Sequence, residues 1–332
     1  MDSALDTIAT ATTRPAGELP APMAWSRADL PDDAGVLTLH AAALDEVLAV
    51  ADMLRANPLP TLALTAADFE LSHCRTLMTE ARRLLDAGPG FVILDRLPLD
   101  RLDREQAIAV YWLLAGMIAR PVAQKWDGCM IYDVTDKGRP PGNGVRPDVT
   151  NVGQNFHTDN SYNHCPPRYV ALFCLKTAMQ GGVSSVVSFH AAHNEMRRRH
   201  PELLDRLYRP FVFDRQREHA PGDVMTLRHP MFAWRDGSLI ARLSLRQVVN
   251  GYAMIDEELD AEGKAAIEAF ETVMNDAALR RDFHFEPGQI QFVNNLAVGH
   301  RRTGFTDWPE PERKRHLVRL WLRDEGRPFY NG

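Results

Sequence analysis

A histidine and an aspartate are separated by a single residue in the segment Phe156-His157-Thr158-Asp159. On an extended segment, residues two apart project to the same side, so this imidazole and this carboxylate can converge on one metal ion. A site of two histidines and one carboxylate holds ferrous iron and leaves neighbouring positions open for a co-substrate and O2. The segment supplies two of these three ligands, so the site requires a second histidine from elsewhere in the chain.

Such a pair is weak evidence alone, because a chain with 12 histidines and 44 acidic residues among 332 positions contains similar pairs by chance. His200 and Glu202 flank Pro201, which is typical of a helix start with proline and an acid in the first turn. His284 and Glu286 precede a Pro-Gly turn and fit simple alternation along an edge strand. The surrounding elements must therefore decide whether the first pair is a metal site.

The chain begins with helical patterns and changes to short strands after about residue 129, which is typical of a sheet-rich sandwich or barrel with attached helices. Asp103 is a predicted N-cap. Helices are predicted over residues 40–55, 67–87, 104–118, 190–207 and 257–279. Strands are predicted over residues 90–94, 129–132, 168–175, 184–188, 211–213, 239–243, 289–293 and 316–323.

Residues 1–25 are rich in Ala, Thr and Pro without a steady period, which predicts a flexible N-terminal tail. No repeat, low-complexity block or linker interrupts residues 26–332, so these residues are predicted to form a single domain. The N-terminus does not have the pattern of a secretory signal, and no span of about 18 apolar residues is present, so neither secretion by such a signal nor a membrane-spanning helix is expected.

The formal net charge is −6, and no long run of Lys and Arg is present. Nucleic acid and anionic membranes are therefore not expected as partners, and a small-molecule substrate is favoured. The four cysteines form no C-x-x-C pair, which favours a reducing cytoplasm over a disulfide framework or a zinc site. The sequence leaves the oligomeric state open, a homo-oligomer included.

Several further motifs follow the histidine and aspartate in a coherent order. They are a buried strand pattern over residues 168–175, a Gly181-Gly182 turn, an Asn294-Asn295 strand end, His300, and an R-x-x-x-R formed by Arg315 and Arg319. These stretches resemble the Fe(II)/2-oxoglutarate-dependent oxygenases of the taurine dioxygenase and clavaminate synthase-like superfamily. The resemblance extends from about residue 90 to residue 323.

The resemblance implies a mainly β fold with flanking α-helices around a double-stranded β-helix, or jelly-roll, core. It implies that His157, Asp159 and His300 bind Fe(II), with 2-oxoglutarate and O2 as co-substrates. It also implies that Arg315 and Ser184 hold the far carboxylate of 2-oxoglutarate, although the family usually has Thr at the serine position. The implied reaction hydroxylates an unactivated carbon and releases succinate and CO2.

Arg315 and Arg319 would face the same way on a strand but lie about 13 Å apart, too far to share one carboxylate. The resemblance implies that Arg319 contacts an anionic group of the prime substrate, and a structural ion pair is the other interpretation. The expected substrate is a small polar metabolite, such as an amino acid or a natural-product intermediate. Further candidate substrate-binding residues, which are also common turn formers or core caps, are Asn151, Gln154, Asn160 and Tyr162.

Two other functions are compatible with the same three ligands. One is a non-catalytic, cupin-like metal-binding sensor or binding module, which would bind iron without consuming 2-oxoglutarate. The other is a metallohydrolase that holds zinc in the triad.

Overall fold

Two β-sheets form the centre of the computed structural model, which describes residues 14–140 and 145–330. One sheet has seven strands and the other has four. Side chains from both sheets meet in one apolar cluster, which includes Phe91 and Trp321 from the larger sheet and Val186 and Val298 from the smaller one. The predicted mainly β, jelly-roll core with flanking helices is thereby confirmed.

The strands are, in chain order, β1 (Val36–Thr38), β2 (Phe91–Asp95), β3 (Arg120–Val122), β4 (Tyr132–Val134), β5 (Gln154–His157), β6 (Tyr169–Lys176), β7 (Gln180–Gly181), β8 (Ser184–Ser188), β9 (Phe211–Asp214), β10 (Thr226–His229), β11 (Phe232–Arg235), β12 (Ser238–Ala241), β13 (Arg280–Phe283), β14 (Ile290–Asn294), β15 (Val298–Arg302), β16 (Phe305–Thr306) and β17 (His316–Arg323). The larger sheet has the order β1-β2-β14-β6-β17-β3, with β4 also paired to β17. The smaller sheet has the order β13-β8-β15-β5, and three further pairs are β9 with β10, β11 with β12, and β7 with β16.

The helices are α1 (Ala41–Ala56), α2 (Ser72–Ala87), α3 (Arg104–Ile118), α4 (Phe189–Arg199), α5 (Pro201–Leu207), α6 (Leu245–Met254) and α7 (Ala261–Asn275). Helices α1 to α3 share an apolar cluster with the outer face of the larger sheet, and α4 to α7 share another with the smaller sheet. In the part of the chain that the structure describes, no helix combines the length and the apolar character needed to cross a bilayer.

Three elements coincide with their predicted ranges: α3, β8 and β17. Helix α3 begins after Asp103, whose carboxylate accepts a hydrogen bond from the Gln106 backbone N–H at 2.8 Å. Strand β17 alternates as its sequence predicts, because Leu317 and Trp321 face the space between the sheets while Val318 contributes to the cluster under the helices. Clear capping and alternation signals therefore place these elements well.

Other elements differ from the prediction. The helix predicted over residues 190–207 is two helices, because Pro201 cannot continue the first and instead occupies the first turn of the second. Helix α2 begins only at Ser72, and the strand predicted over residues 129–132 lies at Tyr132–Val134. Strands β5 and β15 and helix α6 have no counterpart among the predicted elements.

Part of the predicted N-terminal tail lies outside the described residues, and its boundary at residue 25 stays a prediction, as does the single domain over residues 26–332. Within the described part, Leu19 and Trp25 are buried. The Leu19 N–H donates to Asn194 Oδ1 at 2.8 Å, and the Trp25 indole N–H donates to the Pro89 carbonyl at 2.8 Å. These contacts join residues 19–25 to helix α4 and to the turn before β2.

Phe173 tests the packing between the larger sheet and α3. Its ring is fully buried and lies 5.2 Å from the ring of Tyr111, centre to centre. Phe173→Ala is expected to lower the free energy of unfolding by about 3–5 kcal/mol, because it removes buried apolar contacts and leaves a cavity. Urea unfolding measures this change. Val249→Ala on the exposed face of α6 is the control, with an expected change within about 0.5 kcal/mol.

Candidate metal centre

His157 and His300 lie opposite each other on neighbouring strands of the smaller sheet. His157 ends β5 and His300 is central in β15, and the two are register partners in the antiparallel pair. Directly opposed residues bring their side chains close together, and the two imidazole centres are 4.4 Å apart. The structure thus brings together two histidines that are 143 positions apart in the chain.

Asp159 completes the group. Its Oδ1 atom lies 3.5 Å from Nε2 of His157 and 3.5 Å from Nε2 of His300. One donor atom from each residue can be chosen so that all three lie within 4.8 Å of one another. Two imidazole nitrogens and one carboxylate oxygen on one side of a cavity are the donor set that ferrous iron prefers.

The surroundings of the three side chains suit metal binding. His157 Nδ1 lies 2.9 Å from the Asn155 carbonyl, an acceptor that favours the neutral tautomer with its proton on Nδ1 and a free lone pair on Nε2. Burial and the neighbouring histidine lower the pKa of His300. Burial alone would raise the pKa of Asp159, but the Arg319 guanidinium outweighs it and holds this pKa well below its usual range.

The second oxygen of Asp159 is occupied by the protein. The Trp321 indole N–H donates to Oδ2 at 2.7 Å, and Arg319 Nη1 lies 3.2 Å from the same oxygen. With Oδ2 held by these two donors, Oδ1 remains directed toward the histidines. Groups that fix the free atom of a metal ligand set its orientation and its affinity for the metal.

Asn295 holds the backbone of Asp159. Its Oδ1 accepts from the Asp159 N–H at 2.7 Å, while its Nδ2 donates to the carbonyls of Asp159 and Pro167, each at 3.0 Å. The Asn295 side chain is fully buried, and all three of its hydrogen bonds are made to the loop that carries Asp159. The Asn294-Asn295 pair singled out in the sequence therefore has a structural explanation at its second residue.

Arg315 and Ser184 are both buried at the wall of the same cavity. The Arg315 side chain makes no hydrogen bond or ion pair with any residue in the described ranges, and its Nη1 atom is buried without a partner. Burial lowers the pKa of Arg315 to about 10. A buried cation is costly without an anion, so this guanidinium fits the carboxylate of a bound acid.

Gly182 approaches Arg315 closely. Its backbone has φ near +69°, and a Cβ atom built there would lie 3.4 Å from Arg315 Nε. Any other residue would be strained in this left-handed backbone conformation, which explains the glycine at position 182 of the turn before β8.

The cavity has a volume of about 340 Å³, and most of the predicted substrate-binding residues line it: Gln154, Asn160, Tyr162 and Arg319. The Asn160 carboxamide is spent on the Tyr330 carbonyl and on Asn163. Asn151 is not brought to this cavity. Its side chain is exposed and its carbonyl accepts from the Phe305 N–H, because the chain turns there toward β16.

Arg319 has carboxylate partners that the sequence did not reveal. Its Nη2 atom lies 3.3 Å from Asp148, which lies 3.9 Å from Arg146, and Arg146 Nη1 donates to Glu218 at 2.9 Å. Together with Asp159, these residues form a row of alternating charge that starts at the metal centre. Arg146, Asp148 and Glu218 lie outside the strands and the α-helices, so no spacing in the sequence marks them.

Cationic groups outnumber anionic ones around the cavity. Among the described residues, only two carboxylates line it, Asp148 and Asp159. Its lining arginines include Arg146, Arg246, Arg302, Arg315 and Arg319. This arrangement favours anionic ligands.

Comparison with known proteins identifies a family and several similar proteins. The family model described as taurine catabolism dioxygenase TauD, TfdA family matches residues 56–321. FR-33289 synthase of Streptomyces rubellomurinus (strain ATCC 31215) is 28% identical over 313 residues, which cover 92% of this chain and 90% of that protein. A uridine-5'-phosphate dioxygenase of an Amycolatopsis species is 26% identical over 174 residues, or 51% of this chain and 61% of that protein.

Solved structures with the same fold include two oxygenases. An asparagine oxygenase in complex with Fe(II), 2S,3S-3-hydroxyasparagine and succinate superposes with a TM-score of 0.68 at 19% identity, covering 87% of this chain and 93% of that one. The non-heme iron oxygenase OrfP in complex with Fe and alpha-ketoglutaric acid gives a TM-score of 0.62 at 15% identity, covering 87% and 94%. Both structures contain iron and a small molecule.

The role of Asn295 can be tested by Asn295→Ala. The loss of three buried hydrogen bonds to the ligand loop is expected to weaken Fe(II) binding about 10- to 100-fold. Anaerobic metal titration measures this change. Asn294→Ala is the matched control, because Asn294 bonds to Leu85 and Leu296 rather than to the loop. If both variants weaken metal binding equally, Asn295 has no special part in positioning Asp159.

Proposed function

Because this chain belongs to the TauD/TfdA family of taurine catabolism dioxygenases, we propose that its His157, Asp159 and His300 bind the Fe(II) that the family's reaction requires. The protein is a 2-oxoglutarate-dependent dioxygenase, with Fe(II) as cofactor and 2-oxoglutarate and O2 as co-substrates. This membership overturns the alternative of a non-catalytic, cupin-like sensor or binding module. The single observation that carries the site assignment is the convergence of two imidazoles and one carboxylate on one point.

Fe(II), 2-oxoglutarate and O2 together supply an oxidant that hydroxylates an unactivated C–H bond, with release of succinate and CO2. The protein's own part is to hold three ligands on one face, which leaves the opposite positions for the co-substrates. Trp321 and Arg319 keep one oxygen of Asp159 occupied, so that the other is available to the metal. Burial of Asp159 and His300 limits the access of bulk water on their side of the site.

Arg315 and Ser184 are proposed to hold the distal carboxylate of 2-oxoglutarate. Arg315 is a buried guanidinium without an ion-pair partner among the described residues. Ser184 lies on β8 of the smaller sheet, lines the same cavity and has a hydroxyl that can donate. A zinc hydrolase would have no use for such a site. The unpaired arginine therefore supports an oxygenase over a hydrolase built on the same triad.

The prime substrate is proposed to be a small polar metabolite with an anionic group, such as an amino acid or a natural-product intermediate. The excess of arginine over carboxylate around the cavity supports it, and Arg319 is the proposed contact for the anion. Gln154, Asn160 and Tyr162 are proposed as further contacts. The net charge of −6 and the absence of a Lys/Arg run support a partner other than nucleic acid or membrane, and four free cysteines support a reducing cytoplasm.

The co-substrate site is tested by adding Fe(II) and then 2-oxoglutarate to the apoprotein without oxygen. We expect the visible charge-transfer band of the chelated keto acid. His157→Ala should abolish the band, and Arg315→Ala should shift its titration to at least about tenfold higher 2-oxoglutarate, because a charge-assisted contact is lost. Thermal unfolding of the metal-free variants checks their folding. A wild-type protein that binds iron but shows no band would contradict the proposed function.

Arg319 is tested by substrate-dependent turnover. A panel of L-amino acids and phosphate monoesters is screened for compounds that accelerate succinate release. With the best compound, Arg319→Gln is expected to raise KM by about 10- to 100-fold, because a charged contact to the substrate is lost. The 2-oxoglutarate charge-transfer band should persist in this variant. An unchanged KM would show that Arg319 serves only Asp148 and Asp159.

A further inference from the structure

Arg302 lies on the cavity side of β15, two residues after His300. Residues two apart on a strand share a face and lie about 7 Å apart along it. The register partner of Arg302 on β8 is Ser184, just as Val186 is the partner of His300. Arg302 therefore lies beside Ser184, the proposed hydroxyl contact of 2-oxoglutarate, and both residues line the cavity.

The Arg302 guanidinium is buried and forms no ion pair with a carboxylate among the described residues; Asp148, Asp136 and Asp307 act on it only from beyond ion-pair distance. Its Nη2 atom donates to the carbonyls of Thr150, at 3.2 Å, and Val152. Its Nε atom is buried without a hydrogen-bond partner, and no carboxylate among the described residues lies within ion-pair distance of it. Neutral carbonyls compensate a buried positive charge only in part.

Arg315 is the second cation at this place. Both guanidinium groups lie over the ring of Phe305, Arg302 at 4.6 Å and Arg315 at 5.2 Å from its centre. Two like charges around one buried ring repel each other, so the arrangement is unfavourable unless an anion joins them. A carboxylate has about four acceptor sites and can bind two guanidinium groups and a hydroxyl at once.

We propose that Arg302 binds the distal carboxylate of 2-oxoglutarate together with Arg315 and Ser184. This inference rests on the proposed function, because it assigns one more contact to the co-substrate site. It makes Arg302 a binding residue, whereas a merely structural role would consist of tying residues 150–152 to β15. The two roles differ in one property: only a binding residue distinguishes acids with a distal carboxylate from acids without it.

The experiment compares 2-oxoglutarate with 2-oxopentanoate, which has the same keto acid end and no distal carboxylate. Each is titrated without oxygen into Fe(II)-loaded protein, with the charge-transfer band as the readout. Arg302→Gln is compared with the wild type and with Arg281→Gln. Arg281 is the matched control because its guanidinium is also buried and also donates to two backbone carbonyls, those of Pro31 and Asp32, but does not line the cavity.

Arg302→Gln is expected to weaken 2-oxoglutarate binding about 10- to 100-fold and to leave 2-oxopentanoate binding unchanged. Arg281→Gln should change the binding of neither acid. Arg302→Lys, which keeps the charge without the planar fork, should give an intermediate loss and replaces the glutamine variant should that variant fail to fold.

Equal weakening of both acids would overturn the inference and leave Arg302 with the structural role. No change for either acid would also overturn it. If the wild-type protein shows no charge-transfer band, the proposed function itself is contradicted. If the wild type shows the band and the Arg302 variants leave it unaltered, only the inference about Arg302 is overturned.

Discussion

The Asp159 carboxylate is the buried charge on which the rest of the centre depends. A carboxylate in the protein interior is stable only if nearby donors and cations compensate it. Here the compensation comes from Trp321 and Arg319 on β17 and from Asn295, which fixes the backbone that carries it. Arg319 and Trp321 lie on the larger sheet, whereas both histidines lie on the smaller one. Folding of the larger sheet therefore determines the position of Asp159, although the two histidine ligands lie on the smaller sheet.

Strand β17 performs this task through its alternation. Its outward residues pack under helices α1 to α3, whereas Arg319 and Trp321 point toward the metal centre and Arg315, just before the strand, points into the same cavity. The strand lies between β6 on one side and β3 and β4 on the other, so its register is fixed by hydrogen bonds along most of its length. A slip of one residue would send all three polar side chains into the apolar core, at a prohibitive cost.

Sequence reasoning succeeds where a pattern has one physical explanation. The alternation of β17, the cap of α3 and the Ser/Val run of β8 after the Gly-Gly turn all predict their elements to the residue. Strands β5 and β15 escape prediction because their polar side chains face an internal cavity, so the usual contrast between an apolar and a solvent face is missing. The ligands His157, Asp159 and His300 are brought together as expected, although their role as ligands is still a prediction.

The loops carry what the sequence did not indicate. Tertiary folding alone brings together Arg146, Asp148 and Glu218. Because of these contacts, the arginines around the cavity are of two kinds, those with a carboxylate partner in the protein and those without one. Arg319 and Arg146 already have carboxylate partners in the protein, whereas Arg315 and Arg302 have none among the described residues. An anion that binds at Arg315 gains the full electrostatic compensation of a buried cation. An anion that binds at Arg319 must share it with Asp148 and Asp159. Under the proposed assignments, the protein therefore favours its dicarboxylate co-substrate electrostatically over the prime substrate, and shape must contribute more to recognition of the latter.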